Sequence, residues 1–170
     1  MLDLNEASIV GSAALDYRAL GEDENMPITV VKIHYQGIHI NGDKASLTAN
    51  LDFYQGLLGL TPDDKRPPFP GIPGFWMNVG EVGQIHLIGG DQPSPFAQGP
   101  DKDPVLPHIA LAVADITEAK AELDRRGTPY WSLKGATGPQ AEQLFLRDPY
   151  GNMVELHQVD NCRCRAANRK

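Results

Sequence analysis

Three side chains in this sequence, His86, His108 and Glu155, have the types that bind a divalent metal ion. Each lies in a short apolar run that is typical of a β-strand. Successive side chains of a strand point to opposite faces, so each of the three faces away from its apolar neighbours. A buried carboxylate is costly unless it is paired or bound to a metal, and two imidazoles with one carboxylate suit such an ion. We therefore predict a metal site at this trio.

The alternative interpretation is that these three residues are hydrogen-bonded core residues, because a single histidine in the middle of a strand usually does not bind a metal. The same alternation puts His157 on the face of Glu155, but we expect His157 at a partly exposed strand end. Trp76 and Phe75 are expected to pack in the core or to line the cleft.

The spacing of apolar residues and the turn and cap residues predict the strands and helices that position these three side chains. Asp148-Pro149-Tyr150-Gly151 predicts a tight turn that brings Glu155 back beside the preceding strand. Two helices are predicted. One spans residues 46–58, and the other starts after the capping residue Asp115 and ends at Gly127. The stripe of the first helix is Leu47, Leu51, Tyr54 and Leu58.

The plan of the chain is used twice. Each half, about 28–90 and about 107–160, reads as a strand, a helix and then two or three strands, with a loop rich in Gly and Pro between the halves. The predicted strands are Ile28–Ile40, Phe75–Val79, Gln84–Ile88, His108–Val113, Tyr130–Leu133, Gln143–Arg147 and Met153–Val159. We predict an α+β fold in which a helix covers one side of each small sheet and the other sides form a shared cleft.

The composition of the chain limits the classes of molecule that it is expected to bind. The 170 residues are 41% hydrophobic and carry a net charge of −7, which disfavours nucleic acid and anionic membranes. No apolar run has the length of a membrane span, and the first residues lack the positive region of a signal peptide, so a cytoplasmic location is expected. Residues 1–26 are interpreted as an N-terminal extension, 27–160 as the domain, and 161–170 as a basic tail that contains Cys162 and Cys164.

Four stretches resemble the vicinal oxygen chelate superfamily, which includes glyoxalases, bleomycin-resistance proteins and extradiol dioxygenases. The resemblance covers about residues 28–160. The stretches are Leu51–Leu60, Gln84–Ile88, His108–Val113 followed by Asp115, and Phe145–Leu156. It implies two paired βαβββ modules that form a curved mixed sheet around a cleft.

The resemblance also implies a ligand set. His86, His108 and Glu155 match metal positions of the family, but Tyr35 stands where a histidine is usual. His34 is one residue away and should face the opposite side, whereas His39 shares the face of Tyr35 but lies four residues further on. A β-bulge or a shifted register would bring in either histidine.

A metal-dependent, glyoxalase-like lyase or isomerase, or a ring-cleaving oxygenase, is the function that the resemblance implies. The cofactor would be Zn, Ni, Mn, Co or Fe, and Glu155 or a metal-bound hydroxide would accept a proton from a small oxygenated substrate. Tyr35, His39 and Trp76 are the predicted substrate-binding residues. The alternative is a non-catalytic protein that sequesters an antibiotic or a small aromatic molecule. A homodimer is expected by analogy.

Overall fold

Two modules of the same element order make up the fold. The computed structural model describes residues 26–136, 141–159 and 161. The first module contains β1 (Val30–Ile40), α1 (Lys44–Leu51), a π-helical segment (Asp52–Leu57), β2 (Thr61–Pro62), β3 (Gly74–Val79) and β4 (Gly83–Gly89). The second contains β5 (His108–Val113), α2 (Ile116–Arg126), β6 (Tyr130–Lys134), β7 (Glu142–Arg147) and β8 (Met153–Gln158). The predicted strands are therefore confirmed with ends shifted by at most two residues, and β2 is added. The predicted extension and tail lie almost wholly outside the described residues.

All eight strands form one mixed sheet in the order β2-β3-β4-β1-β5-β8-β7-β6. β1 and β5 pair antiparallel at its centre, whereas β1 pairs with β4, and β5 with β8, in parallel. The strand order is therefore symmetric about the centre of the sheet, because β1, β4, β3 and β2 of the first module correspond to β5, β8, β7 and β6 of the second. The predicted α+β fold of two βαβββ modules in a curved mixed sheet is thus confirmed.

The second module is built as its sequence predicts. The side chain of Asp115 accepts hydrogen bonds from the backbone N–H groups of Thr117 and Glu118, and Gly127 ends α2 in the left-handed conformation with φ 62°. Ala119 and Leu123 of the helix pack on a buried cluster that also contains Val113, Leu144 and Leu156. This packing occupies one side of the sheet and leaves the other side to the cleft.

The first helix departs from the predicted stripe. Leu47, Leu51 and Tyr54 pack on the core as predicted, but Leu58 is exposed and Leu60 takes the core position. The cause is the π-helical segment, because its wider turn adds a residue and rotates the following side chains off the stripe.

Candidate active site

The strand register gives the two modules equivalent positions at the centre of the cleft. The paired positions are Tyr35 with Ala110, Gly37 with His108, Gly37 with His86, and Ala110 with Glu155. Exchanging the modules therefore exchanges Tyr35 with His108 and His86 with Glu155. The sequence expectation that these four positions belong together is consistent with this register.

Small residues make room for the ring of His108. A Cβ atom added to Gly37 would lie 2.5 Å from Cε1 of His108, which is closer than real side chains approach. Ala110 and Ala112, which follow His108 on the same face of β5, are fully buried. The imidazole can lie flat against the sheet only because Gly37 has no side chain.

Glu155 is the charged centre of the site and is 1% exposed. Its Oε1 accepts a 2.5 Å hydrogen bond from Gln143, and its Oε2 accepts one from the Tyr35 hydroxyl and lies 3.1 Å from Nε2 of His108. Burial alone would raise the pKa of Glu155, but the hydrogen bond from His108, the nearby imidazoles and Tyr35 lower it to about 2. Glu155 is therefore a carboxylate anion at neutral pH.

His108 is the positive partner of that anion. Its Nδ1 donates to the Leu106 carbonyl at 2.7 Å, and this bond fixes the ring with Nε2 toward Glu155. Burial would lower the pKa of His108, but the hydrogen bonds to Glu155 and Leu106 raise it above 6.5. Burial and Glu155 together raise the pKa of Tyr35 well above 10, so its hydroxyl remains a donor.

His86 is oriented differently from His108. Its Nε2 donates to Oε1 of Gln84 at 2.9 Å, and its ring is stacked between Trp76 and Tyr35, with centroid distances of 4.3 and 3.6 Å. The Gln84 amide is held in that orientation because its nitrogen donates to Asp63 at 2.9 Å. Burial lowers the pKa of His86 well below 6.5, so the ring is neutral.

His34 and His157 both lie at the cleft. His34 was expected on the opposite face unless a bulge or a shifted register intervened, and a register shift in β1 between Ile33 and Tyr35 does bring it to the cleft side. His157 was expected to be partly exposed, but it is 4% exposed because it packs against His34, ring on ring at 4.1 Å with their nitrogens in contact. Burial and the neighbouring His157 lower the pKa of His34 to about 3, and burial lowers that of His157, so both rings are neutral.

A cavity of about 80 Å³ opens beside these groups. Its polar end and its apolar wall are formed by different residues. The polar end contains Tyr35, His86, Gln143, Glu155 and His157, and the wall includes Phe69, Ile72, Trp76, Phe96 and Leu133. Of the predicted substrate-binding residues, Tyr35 and Trp76 line the cavity. His39 does not, because its ring bonds the Gly90 carbonyl at 3.1 Å.

The predicted metal ligands are only partly brought together. Among the described residues, no three His, Cys, Asp or Glu side chains are arranged to hold a metal ion. His108 and Glu155 do fit one, because their donor atoms lie 3.1 Å apart and each has the outer hydrogen bond that ligands commonly have, to Leu106 and from Gln143 respectively. His86 fits by type alone, since its Nε2 is engaged by Gln84.

Sequence reasoning missed two residues of this site. Gln143 is two positions before Phe145 in β7 and pairs with His157 in the register, so strict alternation along β7 would have placed it in the cleft. Arg66 lines the cavity from the loop between β2 and β3. Two basic residues, Lys65 and Arg66, directly before two prolines in a loop rich in proline were its only sequence signal.

Comparisons with known proteins agree with the fold. The profile of the Glyoxalase/Bleomycin resistance protein/Dioxygenase superfamily matches residues 44–156. The Arabidopsis thaliana protein Glyoxylase I 4 is 27% identical over 141 residues, which cover 82% of this chain and 78% of that protein.

Solved structures are similar in the same way. Methylmalonyl-CoA epimerase from Mycobacterium tuberculosis has a TM-score of 0.57 at 21% identity, covering 80% of this chain and 93% of that one. A hypothetical protein from Bacillus halodurans has a TM-score of 0.56 at 26% identity, covering 75% and 93%. Within the described residues, no helix has the length and apolar character needed to cross a membrane. Because the profile covers most of the chain and both modules are present, the chain belongs to the Glyoxalase/Bleomycin resistance protein/Dioxygenase superfamily.

Proposed function

We propose that this protein is a glyoxalase-like lyase or isomerase that moves a proton on a small oxygenated substrate, with a divalent metal held at His108 and Glu155. The observation that carries the proposal is the buried anion of Glu155 at the end of a cavity, among the four other polar side chains of that end. Buried titratable groups with strongly shifted pKa values cluster at functional sites.

His86 is the proposed third ligand, and it would bind after giving up its hydrogen bond to Gln84. When bound, the ion would supply Lewis acidity that polarises a substrate oxygen. Tyr35 would remain close to the site, where its hydroxyl, kept protonated by burial, can donate to an oxygen that gains negative charge. The metal would be Zn, Ni, Mn, Co or Fe, as the donor types allow.

Glu155 is the proposed proton acceptor. A pKa of about 2 makes it a weak base while His108, Tyr35 and Gln143 all bond to it. A substrate oxygen that takes over the Tyr35 hydroxyl would remove one of these bonds and raise the pKa of Glu155. The apolar wall with Trp76 and Phe96 excludes water from the same end of the cavity, which strengthens this effect.

Of the possible reaction types, we rank lyase or isomerase chemistry first. The curated relative bears the name of a glyoxylase, and its identity of 27% supports chemistry of that kind. Oxygenase chemistry ranks second, because two histidines and one carboxylate are also the ligand set of non-haem Fe(II) oxygenases. A homodimer, a cytoplasmic location and His39 as a substrate contact remain predictions.

Elemental analysis of protein purified without chelator tests the proposal. We expect about one divalent ion per chain in the wild type and in His39→Ala, since His39 bonds Gly90 outside the cavity. His108→Ala should lose the ion because it removes a donor that lies 3.1 Å from Glu155. Protein that takes up no metal even with excess divalent ions would contradict the proposal, and the element found would separate oxygenase from isomerase chemistry.

A sequestering protein is the second candidate, and the tyrosine at a ligand position favours it. The three rings of Phe69, Trp76 and Phe96 could hold a small aromatic molecule without any reaction. Binding of aromatic ligands by both the wild type and His108→Ala, with no turnover in either, would favour this candidate.

A further inference from the structure

Arg66 lines the cavity and has no role in the proposed chemistry. Its Nη2 donates to the Ile72 carbonyl at 2.7 Å, and its Nη1 lies 3.4 Å from the Pro67 carbonyl, which is a weak contact. The ring of Phe69 lies 5.2 Å from the guanidinium carbon. Nε is buried and has no hydrogen-bond partner. The donor capacity of this side chain is therefore incompletely used.

Arg66 also lacks a counter-ion within the described part of the chain. None of the ion pairs among these residues includes it. Burial lowers the pKa of Arg66, and no neighbouring anion opposes the shift. An arginine nevertheless stays protonated in proteins. A half-buried cation without an anion is unfavourable, and a ligand that supplies the anion would relieve this cost.

Within the described lining of the cavity, Arg66 is the residue best suited to bind an anionic group of a ligand. Of the described residues that line the cavity, Arg66 is the only lysine or arginine. In the metal-free protein, Glu155 lines the polar end as an anion and would repel a negative group there. A ligand with one anionic end would therefore enter with that end toward Arg66 and its uncharged oxygens toward Glu155.

We propose that Arg66 binds an anionic oxyacid group of the substrate, a carboxylate or a phosphate, and so determines which end of the molecule reaches Glu155. The planar fork of a guanidinium matches two oxygens of such a group. This inference rests on the proposed function, because it names the substrate class of the same cavity. The competing role is structural, since the bond to Ile72 could simply brace the loop.

Calorimetric titration with three ligands that share a phenyl ring separates these roles. The ligands are benzoate, phenylphosphonate and benzamide, and the protein is used as purified and again after chelator treatment. We expect the wild type to bind at least one of the two anions about tenfold or more tightly than benzamide. The anion that binds tighter identifies the oxyacid as a carboxylate or a phosphate.

Variants then assign the preference to Arg66. Arg66→Gln should weaken anion binding about tenfold or more and leave benzamide unchanged, whereas Arg66→Lys should retain part of the preference. Arg147→Gln is the matched control, because Arg147 also donates to backbone carbonyls, of Gly151 and Asp101, but does not line the cavity. It should bind all three ligands like the wild type.

Two results would overturn the inference. One is a wild type without preference for either anion, including one that binds none of the three ligands. The other is an Arg66→Gln variant that loses anion and amide binding equally, which is the result of a purely structural role. Anion preference in a protein that takes up no metal would leave this inference standing and contradict only the proposed function. Metal uptake without anion preference would do the reverse.

Discussion

The two modules have the same topology but contribute different chemistry to the cleft. The second module supplies the charges, since His108 and Glu155 form a buried pair whose donor atoms are 3.1 Å apart. At the equivalent positions of the first module, Tyr35 and His86 are uncharged and stack on each other at 3.6 Å. Trp76 continues this stack at the position where the second module has Phe145.

This difference indicates that the two modules have different roles although they share one topology. The charged pair lies in the module with the larger buried cluster. The stacked rings and Arg66 lie in the module with the π-helical segment and the Pro-rich loop. We infer that the second module supplies the proposed proton acceptor and its charged partner, whereas the first supplies the uncharged groups that surround them.

Substitution of the equivalent residues Glu155 and His86 should have the largest and most unequal effects. In metal-free protein, Glu155→Gln should lower the free energy of unfolding by about 3–5 kcal/mol, because it leaves His108 without its anion. His86→Gln should cost about 1–3 kcal/mol, the penalty of losing one neutral hydrogen bond and its packing. Urea unfolding followed by circular dichroism measures both, and equal losses would contradict the asymmetry between the modules.

Gly37→Ala should disturb the charged pair from the first module. The new Cβ would lie 2.5 Å from the His108 ring, and we expect a loss of about 1–3 kcal/mol in the free energy of unfolding. Gly56→Ala is the control, since nothing lies within 4 Å of its added Cβ, and it should be neutral or slightly stabilising. A Gly37→Ala variant as stable as Gly56→Ala would show that the His108 ring is free to move aside.

Tyr35→His should make the two modules more alike. It places an imidazole at the position equivalent to His108, so we expect the protein to hold its metal about tenfold more tightly, a factor common for changes around metal ligands. Competition with a chelator measures the affinity, and Tyr35→Phe serves as the comparison without a new ligand. Unchanged affinity in Tyr35→His would remove Tyr35 from the proposed metal site.

Acid should destabilise the metal-free protein gradually, because several buried histidines are neutral in the folded state. His34 binds its proton only near pH 3 when folded but near 6.5 when unfolded, so its contribution is complete above pH 6.5 and is lost as the pH falls. His86 and His157 act in the same direction, whereas the raised pKa of His108 acts in the opposite one. The ionised form of Glu155 contributes above pH 4.5, and this is lost as the pH falls toward 2.

The net expectation is a loss of about 2–3 kcal/mol per pH unit between pH 6 and 4.5, the size of about two protons taken up on unfolding. Urea unfolding across this range measures it, and His34→Gln should flatten the slope. Stability that stays constant or rises as the pH falls through this window would contradict the neutral state of these histidines.

The sequence predicted the strands well because side chains alternate every two residues and because Gly, Pro and Asp residues mark the turns between strands. The turn before β8 forms as expected, with Asp148 accepting from the backbone N–H groups of Tyr150 and Asn152, and with Gly151 at φ 87°. The apolar face of α2 also follows from its period. The prediction was wrong where the helical period is interrupted, at the π-helical segment that exposes Leu58. The register shift that turns in His34 was foreseen only as an alternative, because a local pattern does not show which strand is bulged.

The sequence by itself determined the duplicated module, its helix caps and turns, and the faces on which His86, His108 and Glu155 lie, because backbone period and turn chemistry are local properties. Only the tertiary structure decided what those side chains do. The ring of His86 turns to Gln84, His157 is covered by His34, and Arg66 reaches the cavity from a distant loop. These outcomes depend on partners from other strands and loops, whose hydrogen bonds and packing select one orientation among several that the local sequence allows.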